Sequence, residues 1–167
     1  MFFVSSNFDE LAKGKWLLWD TCALIRAIDC DADSLMNYLN KLVAENVTIK
    51  PVILELGATK DQKLALKRMG YAEKYISTIL KTNLDVTGDK TSEIQALLPR
   101  NSQPGAVDLM LASTLAKYGA NDKVLLVTEN IQDFPEPLFV KKGFFMVSND
   151  TKSYGLTLLS INLNILN

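Results

Sequence analysis

The run Trp16–Trp19, broken at once by Asp20 and Thr21, constrains this chain more than any other stretch. Four consecutive apolar residues are too few for a helix and suit a strand buried on both faces, as in a parallel sheet. Asp20 and Thr21 then read as the turn and N-cap of a helix, whose apolar positions resume at Ala23, Leu24, Ile25 and Ile28. Val124–Val127 repeats the device. A second short apolar strand delivers Thr128, Glu129, Asn130 and, shortly after, Asp133 at its carboxyl end. Ligands of open α/β sheets bind outside the carboxyl ends of strands, which is where both polar clusters fall. The expected fold is α/β, one domain with a parallel central sheet flanked by helices.

The rest of the chain is read against those two strands. Residues 1–14 form an N-terminal extension ahead of a domain spanning 15–167, with Phe8–Leu11 making one helical turn packed on the outside. Leu35, Met36, Leu39, Leu42 and Val43 fall at helical spacing over 32–44, and Val47–Ile49 is a short strand. Pro51 suits the first turn of a helix that carries Glu55 among Val52, Ile53, Leu54 and Leu56. A helix over 61–81 gathers Ala65, Leu66, Met69, Ala72, Ile76, Ile79 and Leu80 on one side. Lys60, Lys63, Lys67, Lys74 and Lys81 lie on another. That row is either a solvated face or a stripe that neutralises phosphates.

A strand at 84–86, a turn at 88–89, a short helix over 91–98 and a loop over 99–105 come next. An apolar helix over 106–119 has Asp108 in its first turn and stops at Gly119. Phe144–Val147 is a further strand, and 155–167 fits an edge strand or a helix.

Composition narrows the chemistry. At 167 residues and 48% apolar, the chain can build one full core. A net charge of −1 neither points to nucleic acid nor excludes it. There is no apolar run long enough to span a membrane, and the opening MFFVSS lacks the basic and long apolar regions of a signal peptide. Two cysteines, Cys22 and Cys30, form no C-x-x-C pair and suit a reducing cytoplasm. Histidine is absent altogether. Ser-His-Asp and Cys-His catalysis, paired-imidazole nucleases and histidine-based zinc sites are thereby removed. Any hydrolysis must rest on carboxylates, a metal or lysine.

Four carboxylates stand in unusually apolar surroundings: Asp20 after WLLW, Glu55 inside VILEL, Asp108 inside AVDLML and Asp133 before Phe134. Each alone reads most simply as a helix cap or helix-start residue. Jointly they suggest one acidic site on the rim of the sheet. Clustered carboxylates repel one another unless a cation neutralises them. An oxygen-only donor set is what Mg²⁺ or Mn²⁺ prefers, and such ions activate water at a phosphodiester without histidine. A receiver domain would need paired acids after the first strand, a dehalogenase-type phosphatase D-x-D, and a nucleotide binder a Gly-rich first turn. Residues 20–22 are Asp-Thr-Cys, and no such turn is present.

The blocks DTCALI at 20–25, LEL around Glu55, AVDLMLASTLAKYG at 106–119 and LLVTENIQDF at 125–134 resemble, in order and spacing, the motifs of PIN-domain ribonucleases. That family includes the VapC-type toxins of prokaryotic toxin–antitoxin pairs. The resemblance runs from about Trp16 to Val147. It implies a PIN-like, Rossmann-like sheet and Mg²⁺- or Mn²⁺-dependent endonucleolytic cleavage of single-stranded RNA to 5′-phosphate and 3′-hydroxyl ends. Carried over by position, Asp20, Glu55, Asp108 and Asp133 are the acidic metal ligands. Thr128, Asn130 and Thr21 support them, and Arg26, with Lys63, Lys67 and Lys74, is a candidate RNA contact. The toxin branch adds a protein antitoxin and a homodimer as partners, with no membrane and a cytoplasmic location.

The sequence departs from the pattern in three places. Cys22 stands where Asn or Ser is common, which is expected to lose a hydrogen-bond donor to the site. Glu129 stands where a basic residue is frequent, and would repel RNA or alter metal binding. The extension also delays the first Asp. The competing expectation is a PIN-like module that has kept its acids but only binds RNA or a protein.

Overall fold

The computed structural model describes residues 1–81, 91–98 and 105–166. The strand and turn expected at 84–89, and most of the loop expected over 99–105, lie outside the described residues. Strand β1 (Phe2–Val4) and helix α1 (Phe8–Ala12) lead through a left-handed Gly14 (φ +67°) into β2 (Trp16–Trp19). Then come α2 (Thr21–Asp29), α3 (Asp33–Lys41), β3 (Glu45–Ile49), α4 (Lys50–Gly57) and α5 (Gln62–Tyr75). Strand β4 (Thr78–Leu80), α6 (Thr91–Leu97), α7 (Ala106–Tyr118) and β5 (Val124–Thr128) follow. A hairpin of β6 (Phe139–Ser148) and β7 (Ser153–Ile161) ends the sheet. No helix among the described residues is long and apolar enough to cross a membrane.

The described strands form one seven-stranded sheet in the order β1-β6-β7-β5-β2-β3-β4. Half of it is parallel: β2 pairs with β5 on one side and β3 on the other, and β3 pairs with β4. Leu17, Leu18 and Trp19 are fully buried, as are or nearly are Val124–Thr128, because helices cover both faces of this central pair. Each such side chain contributes roughly 1.5–3 kcal/mol on leaving water. Buried polar groups cross-link the strands. Trp19 Nε1 donates to Asn46 Oδ1 at 2.8 Å, and Thr48 Oγ1 donates to the Trp19 carbonyl at 2.7 Å.

The other half corrects the expectation of a parallel sheet. β7 runs antiparallel to β5, β6 antiparallel to β7, and β1 antiparallel to β6, so the sheet is mixed. A chain reversal at 149–152 makes this possible. Asn149 Oδ1 accepts from the backbone N–H groups of Thr151 and Lys152 at 3.0 and 2.8 Å, the side-chain turn that asparagine favours. The stretch 155–167 is therefore chiefly an interior strand, β7, followed by a short 3₁₀ turn at Leu163–Ile165.

Two further expectations change. The helix over 61–81 ends at Tyr75, and Thr78–Leu80 instead pairs in parallel with Val47–Ile49 as an edge strand. Ile76, Ile79 and Leu80 continued the helical spacing by chance. Of the expected apolar face, Ala72 is buried, whereas Leu66 is 74% exposed. Residues 1–14 are also woven into the domain's sheet and core. Phe2, Phe3 and Val4 pair with Val147, Met146 and Phe145, and the fully buried Phe8 packs edge-on against Phe145 with ring centroids 5.5 Å apart.

Candidate acidic site at the strand switch point

The chain leaves β2 toward β3 on one side and returns at β5 on the other, so a crevice opens between the carboxyl ends of β2 and β5. The Asp20 N–H donates to the Val127 carbonyl at 3.1 Å and extends the ladder to the rim. Asp20 is the N-cap of α2, its Oδ1 accepting from the Ala23 N–H at 2.9 Å. The Cys22 thiol donates to the same oxygen at 2.8 Å, and the Thr128 hydroxyl donates to Oδ2. Cys22 thus supplies a donor that its identity was expected to cost. Thr128, fully buried, accepts in turn from the Asn130 N–H at 3.0 Å. One carboxylate is held by two helix-end groups and by the neighbouring strand.

The other three acids reach the same cleft from three elements. Glu55 comes from α4, which Pro51 starts directly after β3, and accepts from the Thr21 hydroxyl. Asp108 lies in the first turn of α7, where its Oδ2 accepts from the Gly105 N–H at 3.0 Å. Asp133 sits in a 3₁₀ turn (Ile131–Asp133) after β5 and accepts from the Asn130 side-chain amide. Asp20, Thr21, Cys22, Glu55, Asp108, Asn130 and Asp133 line one cleft of about 380 Å³, with Gly105, Ala106, Val107 and Leu111 completing the wall.

The electrostatics follow from that convergence. Burial pushes the Asp20 carboxyl above its ordinary value, against the pull of its hydrogen bonds to Ala23, Cys22 and Thr128. Asp108 is pushed up to about 6, first by desolvation and then by the negative charges of Asp133, Asp20 and Glu55; its bond to Gly105 opposes the rise. The Cys22 thiol is raised to about 12 by burial and by the Asp20 charge, so it remains a protonated donor.

The cations expected to contact RNA are not brought to this cleft. Arg26 Nε pairs with Glu129 Oε2 at 2.8 Å, its guanidinium lying 4.2 Å from the centre of the Tyr154 ring. Glu129 thus has a basic partner on α2. Lys67 and Lys74 pair with Asp31 and Asp33 at 2.9 and 3.0 Å, tying α5 to the α2–α3 connection and to the start of α3. Lys63 is exposed in the first turn of α5.

Among the described residues no three carboxylates or thiols stand as a ready-made cage for an ion. The donor chemistry nevertheless suits a hard divalent cation: four carboxylates and a hydroxyl-bearing rim, with Asp108 disfavoured as an anion by burial and by its acidic neighbours. Mg²⁺ needs no closed protein cage. It keeps several waters and takes one or two carboxylates directly. No protein-family model matches the chain, and no curated protein and no solved structure matches it.

Proposed function

We propose that this protein is a metal-dependent endoribonuclease of PIN type acting on single-stranded RNA. The observation that carries the reading is the meeting of Asp20, Glu55, Asp108 and Asp133 in one cleft at the β2–β5 switch point. Asp20 and Asp108, both disfavoured as bare anions, would hold Mg²⁺ or Mn²⁺, with Glu55 and Asp133 completing the negative field. When bound, such an ion supplies an activated water and neutralises charge on the phosphodiester. The chain's own residues keep the carboxylates in place: Thr128, Cys22 and the Ala23 N–H orient Asp20, Thr21 holds Glu55, and Asn130 holds Asp133. Hydrolysis adds water across the P–O3′ bond and leaves 5′-phosphate and 3′-hydroxyl ends.

The test is cleavage of end-labelled single-stranded RNA in Mn²⁺, with and without chelator, by wild type and Asp20→Asn. Cleavage is expected to need the ion and to fall by at least about 100-fold in the variant, the scale seen when one transition-state charge partner is lost. Chelator-resistant cleavage, or full activity in Asp20→Asn, refutes the mechanism. Retention of RNA without turnover in Mn²⁺ would make the chain a binding module. Growth arrest on expression, relieved by the product of a neighbouring reading frame, would assign it to the toxin branch.

A further inference from the structure

The face of the sheet that bears Thr128 continues across the antiparallel half. Residues directly opposite one another in paired strands share a face. The register places Thr157 opposite Thr128, and Phe144 opposite Thr157. The next rung outward holds Gly155, Met146 and Phe3. Phe145 and Val147 turn the other way, into the core, and are fully buried. Phe144, Met146 and Phe3 are 45%, 37% and 61% exposed.

This exposed strip is not uniformly apolar. Phe144 lines a shallow cavity of about 350 Å³ together with Lys141, Lys142, Gly143, Gly155 and Thr157. Gly155 leaves the space beside the ring open, with no atom within 4 Å of where its Cβ would be. Lys142 spends its charge on Asp122 at 3.1 Å, whereas Lys141 is exposed at the cavity's edge. An exposed ring next to a lysine, with a glycine and a hydroxyl side by side on the neighbouring strand β7, offers a stacking face and a cation of the kind that binds a single-stranded nucleic acid. The base stacks, and the cation meets the backbone. A protein partner would use the apolar strip but has no need of the glycine gap or the lysine.

We infer that Phe144, with Lys141, Gly155 and Thr157, forms a base-stacking subsite for single-stranded RNA, two strands across the sheet from Thr128. At the usual spacing of strands, its backbone lies about 10 Å from that of Thr128. The inference rests on the ribonuclease reading for its choice of RNA. It makes Phe144 a contact for a nucleotide flanking the scissile bond.

Binding of a fluorescein-labelled, mixed-sequence single-stranded RNA is measured in chelator, where no cleavage occurs, for wild type, Phe144→Ala, Phe144→Leu and Phe144→Trp. Loss of one stacked base is expected to raise Kd at least about fivefold in Ala and in Leu, while Trp binds as wild type. The same RNA annealed as a duplex is expected to show no such difference. Phe144 is exposed, so all three variants should melt as wild type does. Wild-type affinity in Phe144→Ala overturns the subsite. Restored affinity in Phe144→Leu also overturns it, since apolar area without a ring would then suffice. A wild-type dimer that Phe144→Ala converts to monomer, with RNA affinity unchanged, assigns the strip to a second copy of this chain instead. Mn²⁺-dependent cleavage is scored separately on the same variants: its absence in wild type defeats the ribonuclease reading while the Kd series still decides the subsite.

Discussion

Asp108→Asn is expected to stabilise the ion-free protein near neutral pH. The carboxyl is raised on folding from 3.8 to about 6, so the folded state holds its proton more tightly than the unfolded chain. Below pH 3.8 the group is protonated in both states and costs nothing. As the pH rises through 6 the folded protein takes on the full penalty of an ionised carboxylate that is partly desolvated and lies near three others, so the stability present in acid is lost. The nominal size is about 3 kcal/mol. Asp108 is only half-buried, and solvent screening cuts this to about 1–1.5 kcal/mol. Asparagine keeps an oxygen for the Gly105 N–H but forfeits some 0.3–1 kcal/mol of favourable interaction with the start of α7.

The central net gain at pH 7.5 is therefore about 0.6 kcal/mol, a rise in Tm of about 1–2.5 °C. The gain should shrink as the pH is lowered from 6 toward 4, because the penalty it relieves disappears. Urea unfolding in chelator at pH 7.5 and pH 4.5, for wild type and variant, measures it. Mn²⁺ should then favour the wild type, since an ion held by the cleft stabilises only the state that binds it. A variant no more stable than wild type at pH 7.5, or an advantage unchanged at pH 4.5, would show that folding does not disfavour the ionised Asp108 carboxylate.

Other substitutions probe other parts of the argument. Thr128→Val keeps the shape but removes the donor to Asp20 and the acceptor for the Asn130 N–H, and should cost about 1–3 kcal/mol in urea unfolding. On the proposed ribonuclease reading, Mn²⁺-dependent cleavage should fall with it; unchanged stability and cleavage would mean that Asp20 does not depend on this hydroxyl. Phe8→Ala should cost about 3–5 kcal/mol, because the ring is fully buried against Phe145. A loss under about 1 kcal/mol would mean that the N-terminal segment merely rests on the surface.

Local pattern carried the parallel half of the fold. Trp16–Trp19 and Val124–Val127 are strands, Asp20 is an N-cap, Pro51 opens α4, and Gly119 ends α7, its N–H bonded to the Leu115 carbonyl at 2.7 Å. A side chain at Gly119 would meet that carbonyl at 2.3 Å. The gathering of four distant acids was legible because three of them are fixed by local devices: a cap, a proline-started helix and a helix first turn. What stayed hidden depends on pairing between distant segments. Nothing in Phe2–Val4 announces Phe145–Val147 as its partner, and nothing in 155–161 distinguishes an edge from an interior strand until β5 and β6 flank it. The partners of Cys22 and Glu129 stayed hidden for the same reason. A thiol 2.8 Å from Asp20 and a carboxylate 2.8 Å from Arg26 are facts of folding, not of residue type.

The pairing of β1 with the far end of β6 also sets an order of events during synthesis. A growing chain has no partner for residues 2–4 until residues 145–147 have left the ribosome, and β2 cannot meet β5 until 124–127 have done so. β1 and the β5-facing edge of β2 must wait, uncovered, until those residues have been made. Such long-separation contacts slow folding and leave sticky segments uncovered in the meantime. The acidic cleft can come into being only after Asp133, the last of its lining residues, has been made.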